Sequence, residues 1–271
     1  MIANSTIDPT WYFEPLGPDE FTPSKYVGGA WNTSEQHIAP MFGLLTHLIE
    51  QERARRGRLD LTISRLSFDI YGPVAMAPFK VSMEVIRPGK TIELIETRVT
   101  QGGRTAVAGR AWLLIAGDTT SIAGTLLAPM PAPDTLPPWE YANDWAGEFV
   151  RSFEARRQQH SPGRCIIWIR TTLDLLKGAT VSPTARLMGI VDVANGASPR
   201  QSPNAVAFPN LDLTAHLFRT PVGPWVGLDT SVSFGATGVG LTHSVIHDER
   251  GPVGVVSQCL TVRPMDNTQR K

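Results

Sequence analysis

Apolar residues recur at helical spacing through Leu44, Leu45, Leu48 and Ile49, and the run ends where Arg55 and Arg56 precede Gly57. Thr33 and Gln36, spaced as a capping box, predict the start of a helix of roughly four to five turns. The period then changes from helical to alternating. LTISRLSFDIYG, FKVSMEVIRPG, TIELIETRVTQ and TAVAGRAWLLIA are rich in β-branched residues and are broken at Arg87-Pro88-Gly89 and Gly102-Gly103, as an antiparallel meander would be.

The same order returns in the second half. Ser182 suits an N-cap and Pro183 a first turn, predicting a helix that ends near Asn195-Gly196. Strand-like runs follow as AVAFPNLDLTAHLF, WVGLDTSVSF, VGLTHSVIHDE and PVGVVSQCLTV, the last two joined by a turn at Glu249-Arg250-Gly251. A shift of 146 positions lays Pro78 on Pro224, Gly89 on Gly235, Val99 on Val245, Arg104 on Arg250 and Leu114 on Leu260. It also lays Ala39 on Ala185, Gly43 on Gly189 and Leu44 on Ile190, while a three-residue slip brings Phe68-Asp69 onto Leu211-Asp212. Repetition of the element order and of the turn glycines points to duplication. The fold class expected is α+β: a tandem double hotdog, each half a long helix wrapped by a curved antiparallel sheet, with the sheets joined side by side so that two edges are covered at once.

At 271 residues the chain suits two domains. Residues 129–139, PMPAPDTLPPW, hold five prolines and cannot continue a helix or a central strand. The division expected is an N-terminal hotdog at 1–128, a Pro-rich linker at 129–140 and a C-terminal hotdog at 141–271. With 25 basic and 25 acidic residues, nothing favours nucleic acid or an anionic membrane as partner. No apolar stretch reaches a membrane span, and MIANSTIDPTWYFEP lacks the regions of a signal peptide, so a cytoplasmic protein is expected. Cys165 and Cys259 are far apart and outside any metal-ligand spacing, which suggests two buried thiols.

No GxSxG, phosphate loop, GxGxxG after a strand or HExxH is present, so no cofactor or metal is expected; Gly235, Gly238 and Gly240 read as a hairpin connection. Asp192 stands among Ile190, Val191, Val193 and Ala194 near the predicted helix C-terminus, where a carboxylate opposes the macrodipole. It is either solvated on the outer helical face or, if desolvated, a general base of raised pKa. Asn210 follows a proline at the start of a strand, and is either a turn residue or a polar group facing inward. Gln258 shares a strand face with Val256 and Leu260, and an inward amide needs a partner. His243 and His247, four apart on a strand, are too far separated to share a metal and read as surface residues. His247 to Arg250 reads as a charged hairpin tip. His37 and His47 have no carboxylate at a suggestive spacing and receive no role.

The segments LMGIVDVANG, FPNLDLTAHLFR and GLTHSVIHDERGPVGVVSQCLTV resemble the C-terminal half of the acyl-CoA thioesterase II-like family. YVGGAW, RLSFDIYGPV, VIRPGKTIEL and VTQGGRTAVAGRAWLL resemble its first half. The resemblance implies a double hotdog that hydrolyses an acyl-CoA or acyl-carrier thioester in lipid metabolism. It assigns catalysis to Asp192, Asn210 and Gln258, which would orient a water, with Asn210 standing where the family carries a hydroxyl residue. A backbone N–H near a helix terminus would stabilise the oxyanion. Two other readings are an enoyl-thioester hydratase or dehydratase, which needs an Asp and His pair, and a non-catalytic acyl-thioester-binding protein. Remaining sheet edges leave room for a homo-oligomer. Under the 146-residue shift and its slip, Thr46, Ser67 and Trp112 stand opposite Asp192, Asn210 and Gln258, so one active site per chain is expected.

Overall fold

The computed structural model describes residues 8–265; the opening residues 1–7, part of the stretch read for a signal peptide, and residues 266–271 lie outside the described residues. Two short strands, β1 (Trp11–Pro15) and β2 (Glu20–Pro23), lead to helix α1 (Ile38–Arg55), which is followed by β3 (Leu61–Ile70), β4 (Phe79–Arg87), β5 (Ile92–Gln101) and β6 (Arg104–Ile115). The second half opens with β7 (Phe153–Ser161), β8 (Arg164–Thr171) and β9 (Asp174–Leu176). It continues through α2 (Pro183–Met188), α3 (Ala194–Ala197), β10 (Val206–Ala207), β11 (Asp212–Leu217), β12 (Val226–Phe234), β13 (Val239–Asp248), β14 (Gly251–Thr261) and β15 (Arg263–Pro264). The sequence pattern missed β1, β2, β7, β8 and β9. The polar run Arg156-Arg157-Gln158-Gln159 conceals β7, which lies at a sheet edge where charge is the norm.

Among the described residues, thirteen strands form one sheet in the order β7-β8-β12-β13-β14-β11-β3-β6-β5-β4-β2-β1-β9. The first copy is therefore not the plain meander expected: β3 lies beside β6, and residues 71–78 cross over to reach β4. This leaves the other edge of β3 free to pair with β11, which joins the two halves as a tandem double hotdog. α1 packs inside the curved sheet with Ala39, Met41, Phe42, Leu44, Leu45 and Ile49 buried, and the Phe42 ring stacks on Phe68 at 4.3 Å.

The ladders correct the repeat by one residue. Val81 pairs with Val99 where Leu228 pairs with Ile246, and Gln101 closes on Arg104 where Asp248 closes on Gly251; each number rises by 147. The β-bulges agree, at Val99/Thr100 and Ile246/His247. At the junction Ser67 faces Thr214, its own counterpart, so the pseudo-two-fold axis passes between them. A slip of one residue exchanges the two faces of a strand. Ala111, buried, is thus the counterpart of Gln258 in place of Trp112. On the first strand the shift of 147 replaces the slipped alignment by four residues, and Ile63, paired with Leu113 as Asn210 is with Leu260, is the counterpart of Asn210 in place of Ser67.

The helices keep the shift of 146. Gly43 lies against Gly189, and a Cβ on Gly43 would come within 2.8 Å of both Ala185 O and Gly189 Cα. One residue is gained between helix and strands, which the matched turn glycines could not reveal.

The second copy's helix departs further from expectation. Ser182 Oγ caps α2 by accepting the Ala185 N–H at 3.0 Å, as its position suggested, but the helix stops after Met188. A 3-10 turn at Val191–Val193 and the single turn α3 complete the span. In the first copy, Thr33 and Gln36 do not cap α1. His37 does, with its Nδ1 accepting the Ala39 N–H at 3.2 Å, while Gln36 donates to Ala75 O.

Gly235 and Gly238 belong to the β12–β13 connection, as read, while Gly240 lies just inside β13 and pairs with Phe234, and residues 248–251 form the β13–β14 tip. Two expectations about exposure fail. Cys165 is buried but Cys259 is exposed, and His247 is buried, in hydrogen-bond contact with Ala128 O, whereas His243 is exposed. No helix among the described residues is long and apolar enough to cross a membrane.

Candidate active site

Asp192, Asn210 and Gln258 converge. Asp192 sits in the 3-10 turn between α2 and α3 and is buried, so the solvated reading and the macrodipole argument both fall. Asn210 bridges to Leu260 just before β11, and Gln258 points inward from β14 with Val256 and Leu260. Asn210 Nδ2 donates to Asp192 Oδ1 at 2.7 Å and to Asp212 O at 3.1 Å. Gln258 Nε2 donates to the same Oδ1 at 2.8 Å and to Asp192 O at 3.2 Å. Each amide nitrogen faces two acceptors, which fixes the orientation of both amides.

The two donors occupy Oδ1 and leave Oδ2 outside these bonds. Burial pushes the Asp192 carboxyl up to about 7, against the opposing effect of the Asn210 and Gln258 hydrogen bonds. A base half-ionised near neutrality is suited to proton transfer at ordinary pH.

The turn that carries Asp192 is braced by two aromatic side chains. Tyr141 Oη donates to Val193 O at 3.0 Å, and Trp145 Nε1 to Gly196 O at 3.1 Å. Trp31 meets Trp145 and Phe208 edge to face at 4.7 and 5.1 Å. A cavity of about 550 Å³ opens beside the turn; Trp31, His37, Ile70, Tyr71, Asp192 and Asn210 are among the residues lining it. Gln258 is not among them, so it supports the carboxylate from behind.

His37 is the residue the sequence pattern did not single out. Its Nδ1 stands 3.9 Å from Asp192 Oδ2, and its ring packs on Phe149 at 4.4 Å. Burial pulls its pKa down to about 3, so the imidazole is neutral and the contact is not an ion pair. The crossing of α1 and α2 at Gly43 and Gly189 brings the start of α1 beside the turn that follows α2. The repeat in the sequence held that signal, but it becomes legible only once the point of contact between the helices is known. His47 is buried elsewhere and does not line the cavity.

The N-terminal domain of acyl-CoA thioesterases matches residues 27–114, and their C-terminal domain matches residues 127–262. No curated protein sequence matches the chain. Solved structures match over nearly their full length. One is a conserved protein of unknown function with a hot dog fold from Alicyclobacillus acidocaldarius, with TM-score 0.73 and 13% identity over 96% of this chain and 98% of that one. Another is an acyl-CoA thioesterase II from Mycobacterium marinum, with TM-score 0.65 and 17% identity over 94% and 96%. A third is a tesB protein from Mycobacterium avium subs paratuberculosis, with TM-score 0.61 and 15% identity over 93% and 96%.

Proposed function

This chain belongs to the acyl-CoA thioesterase family, and on that premise we propose that it hydrolyses acyl-CoA or acyl-carrier thioesters by general-base catalysis from Asp192. A water held on Oδ2 loses a proton to the carboxylate as its oxygen bonds to the thioester carbon. The tetrahedral intermediate then collapses by breaking the C–S bond, and the proton passes to the departing thiolate, giving acid and thiol with no covalent enzyme intermediate. Asn210 and Gln258 act chiefly through the carboxylate. Their donors hold Oδ1 and so aim Oδ2.

The observation that carries this reading is the pair of amide donors on one oxygen of a buried carboxylate, at 2.7 and 2.8 Å. Where the resemblance expects a hydroxyl, this chain has an amide that donates to the carboxylate. The reading also has the enzyme cytoplasmic, with one active site per chain. The test is release of free thiol from a series of acyl-CoAs of increasing chain length. Asp192→Ala should lower kcat by about 10²- to 10⁴-fold, and equal rates for variant and wild type with every substrate would reject Asp192 as the base.

The His37 contact favours a second reading, an enoyl-thioester hydratase, because it supplies the Asp and His pair that the sequence did not. Water addition to a 2-enoyl-CoA without thiol release would favour that reaction over hydrolysis.

A further inference from the structure

The first turn of α1 is poor in free donors. Pro40 has no N–H, the Ala39 N–H is already given to His37 Nδ1, and His37's own N–H goes to Val27 O. Of the residues opening the helix only Ile38 retains an amide for a ligand, so a backbone oxyanion hole at this terminus is largely consumed by its own cap. The side chain that consumes it supplies a replacement. Because Nδ1 accepts, the single proton of the neutral ring is on Nε2, and among the described residues nothing accepts it. His37 lines the same cavity as Asp192 and Asn210.

We infer that His37 Nε2–H donates to the thioester carbonyl oxygen and stabilises the oxyanion that forms when the water on Asp192 attacks. This rests on the hydrolase reading above. The geometry separates the two roles: Nδ1, 3.9 Å from Asp192 Oδ2, is occupied by the Ala39 N–H, and the other ring nitrogen, Nε2, is left to serve the carbonyl oxygen of a substrate in the cavity that His37 and Asp192 both line. No proton moves from the ring, and the bond made and bond broken stay those of the hydrolysis. A ring that stays neutral suits a fixed donor, since an imidazolium would be neutralised by Asp192 instead of serving the substrate. The packing of the ring on Phe149 and the bond from Ala39 fix its orientation in advance. Among the described residues Asp192 is the acidic group at the ring; the other polar lining groups are Asn32, Glu35, Gln36, Tyr71, Asn195, Asn210 and Arg263, and Glu35 is engaged by Asn32.

His37→Asn separates this role from the cap, because asparagine is a favoured N-cap whose Oδ1 still accepts the Ala39 N–H but cannot reach the carbonyl. The variant should keep the wild-type melting temperature, the KM and the rise of rate with pH (the acid limb) that ionisation of Asp192 gives, while kcat falls about 10²-fold; His37→Gln, with a longer amide, should recover part of the loss. A His37→Asn kcat within a few-fold of wild type, or loss of the acid limb, would overturn the assignment. Infrared spectroscopy gives a readout that needs no His37 variant: a ¹³C-labelled thioester bound to Asp192→Asn should show its carbonyl stretch lowered from the free value, and an unshifted band would also overturn it. If Asp192→Asn releases thiol at the wild-type rate, Asp192 is not the base and the general-base reading on which this inference rests fails. If it is inert while His37→Asn is fully active, only the present inference does.

Discussion

His37 Nδ1 and Asp192 Oδ2 lie 3.9 Å apart although they come from opposite copies of the repeat. Both atoms are acceptors in the neutral-histidine state, so the contact supplies no bond of its own. It is instead a consequence of the helix crossing, and it puts the two halves of the chain into one site.

The rate of thiol release should rise with pH along a limb near 7, since the proposed mechanism activates the water only through ionised Asp192, whose pKa burial raises to about 7. Gln258 donates to Asp192 and lowers that pKa. Gln258→Leu should therefore move the limb to higher pH, as a pH–rate profile would show. A limb that stays in place would mean that Gln258 does not act on the carboxylate.

Stability carries the opposite signature. The unfolded Asp192 loses its proton near 3.8 and the folded one near 7. Below both values the states bind equally, and between them the folded state holds the extra proton, so unfolding becomes easier as pH rises. Asp192→Asn should thus be more stable than wild type at pH 8, by on the order of 4 kcal/mol, and converge with it below pH 4. His37 works the other way from about 6.5 down to about 3, because the folded ring refuses a proton that the unfolded ring takes. Urea unfolding at several pH values separates the two contributions.

Gly43→Ala should cost about 1–3 kcal/mol of stability, because the new methyl group meets backbone of the other copy at 2.8 Å and nothing there is a flexible side chain. The backbone cannot yield without moving the turn of Asp192, so kcat should fall as well. Thermal melting and the thiol assay on the same sample test both.

Titration with a tight, non-hydrolysable thioester analogue should find one site per chain. The counterparts of Asp192, Asn210 and Gln258 are Thr46, Ile63 and Ala111, and neither Ile63 nor Ala111 has a polar side-chain atom to hold a carboxylate. Thr46 Oγ1 is spent on Phe42 O at 2.7 Å. Two equivalent sites per chain would refute the asymmetry.

By itself the sequence determined the duplication, the presence of α1 and its end at Arg55, the four strands that follow it in each copy, the Ser182 cap and the three polar residues worth following. These are local properties: side-chain periodicity, cap chemistry and turn glycines are written within a few residues of where they act. Only the tertiary structure decided the rest. Strand pairing fixed the 147-residue register, and with it which side chains are counterparts, because identities at turns tolerate a one-residue slip that a ladder does not. The break after Met188 puts Asp192 in a buried turn, where desolvation, not a helix dipole, raises its pKa. The pairing of His37 with Asp192 had no local signal, since a contact across 155 positions exists only once Gly43 and Gly189 have allowed two helices to touch.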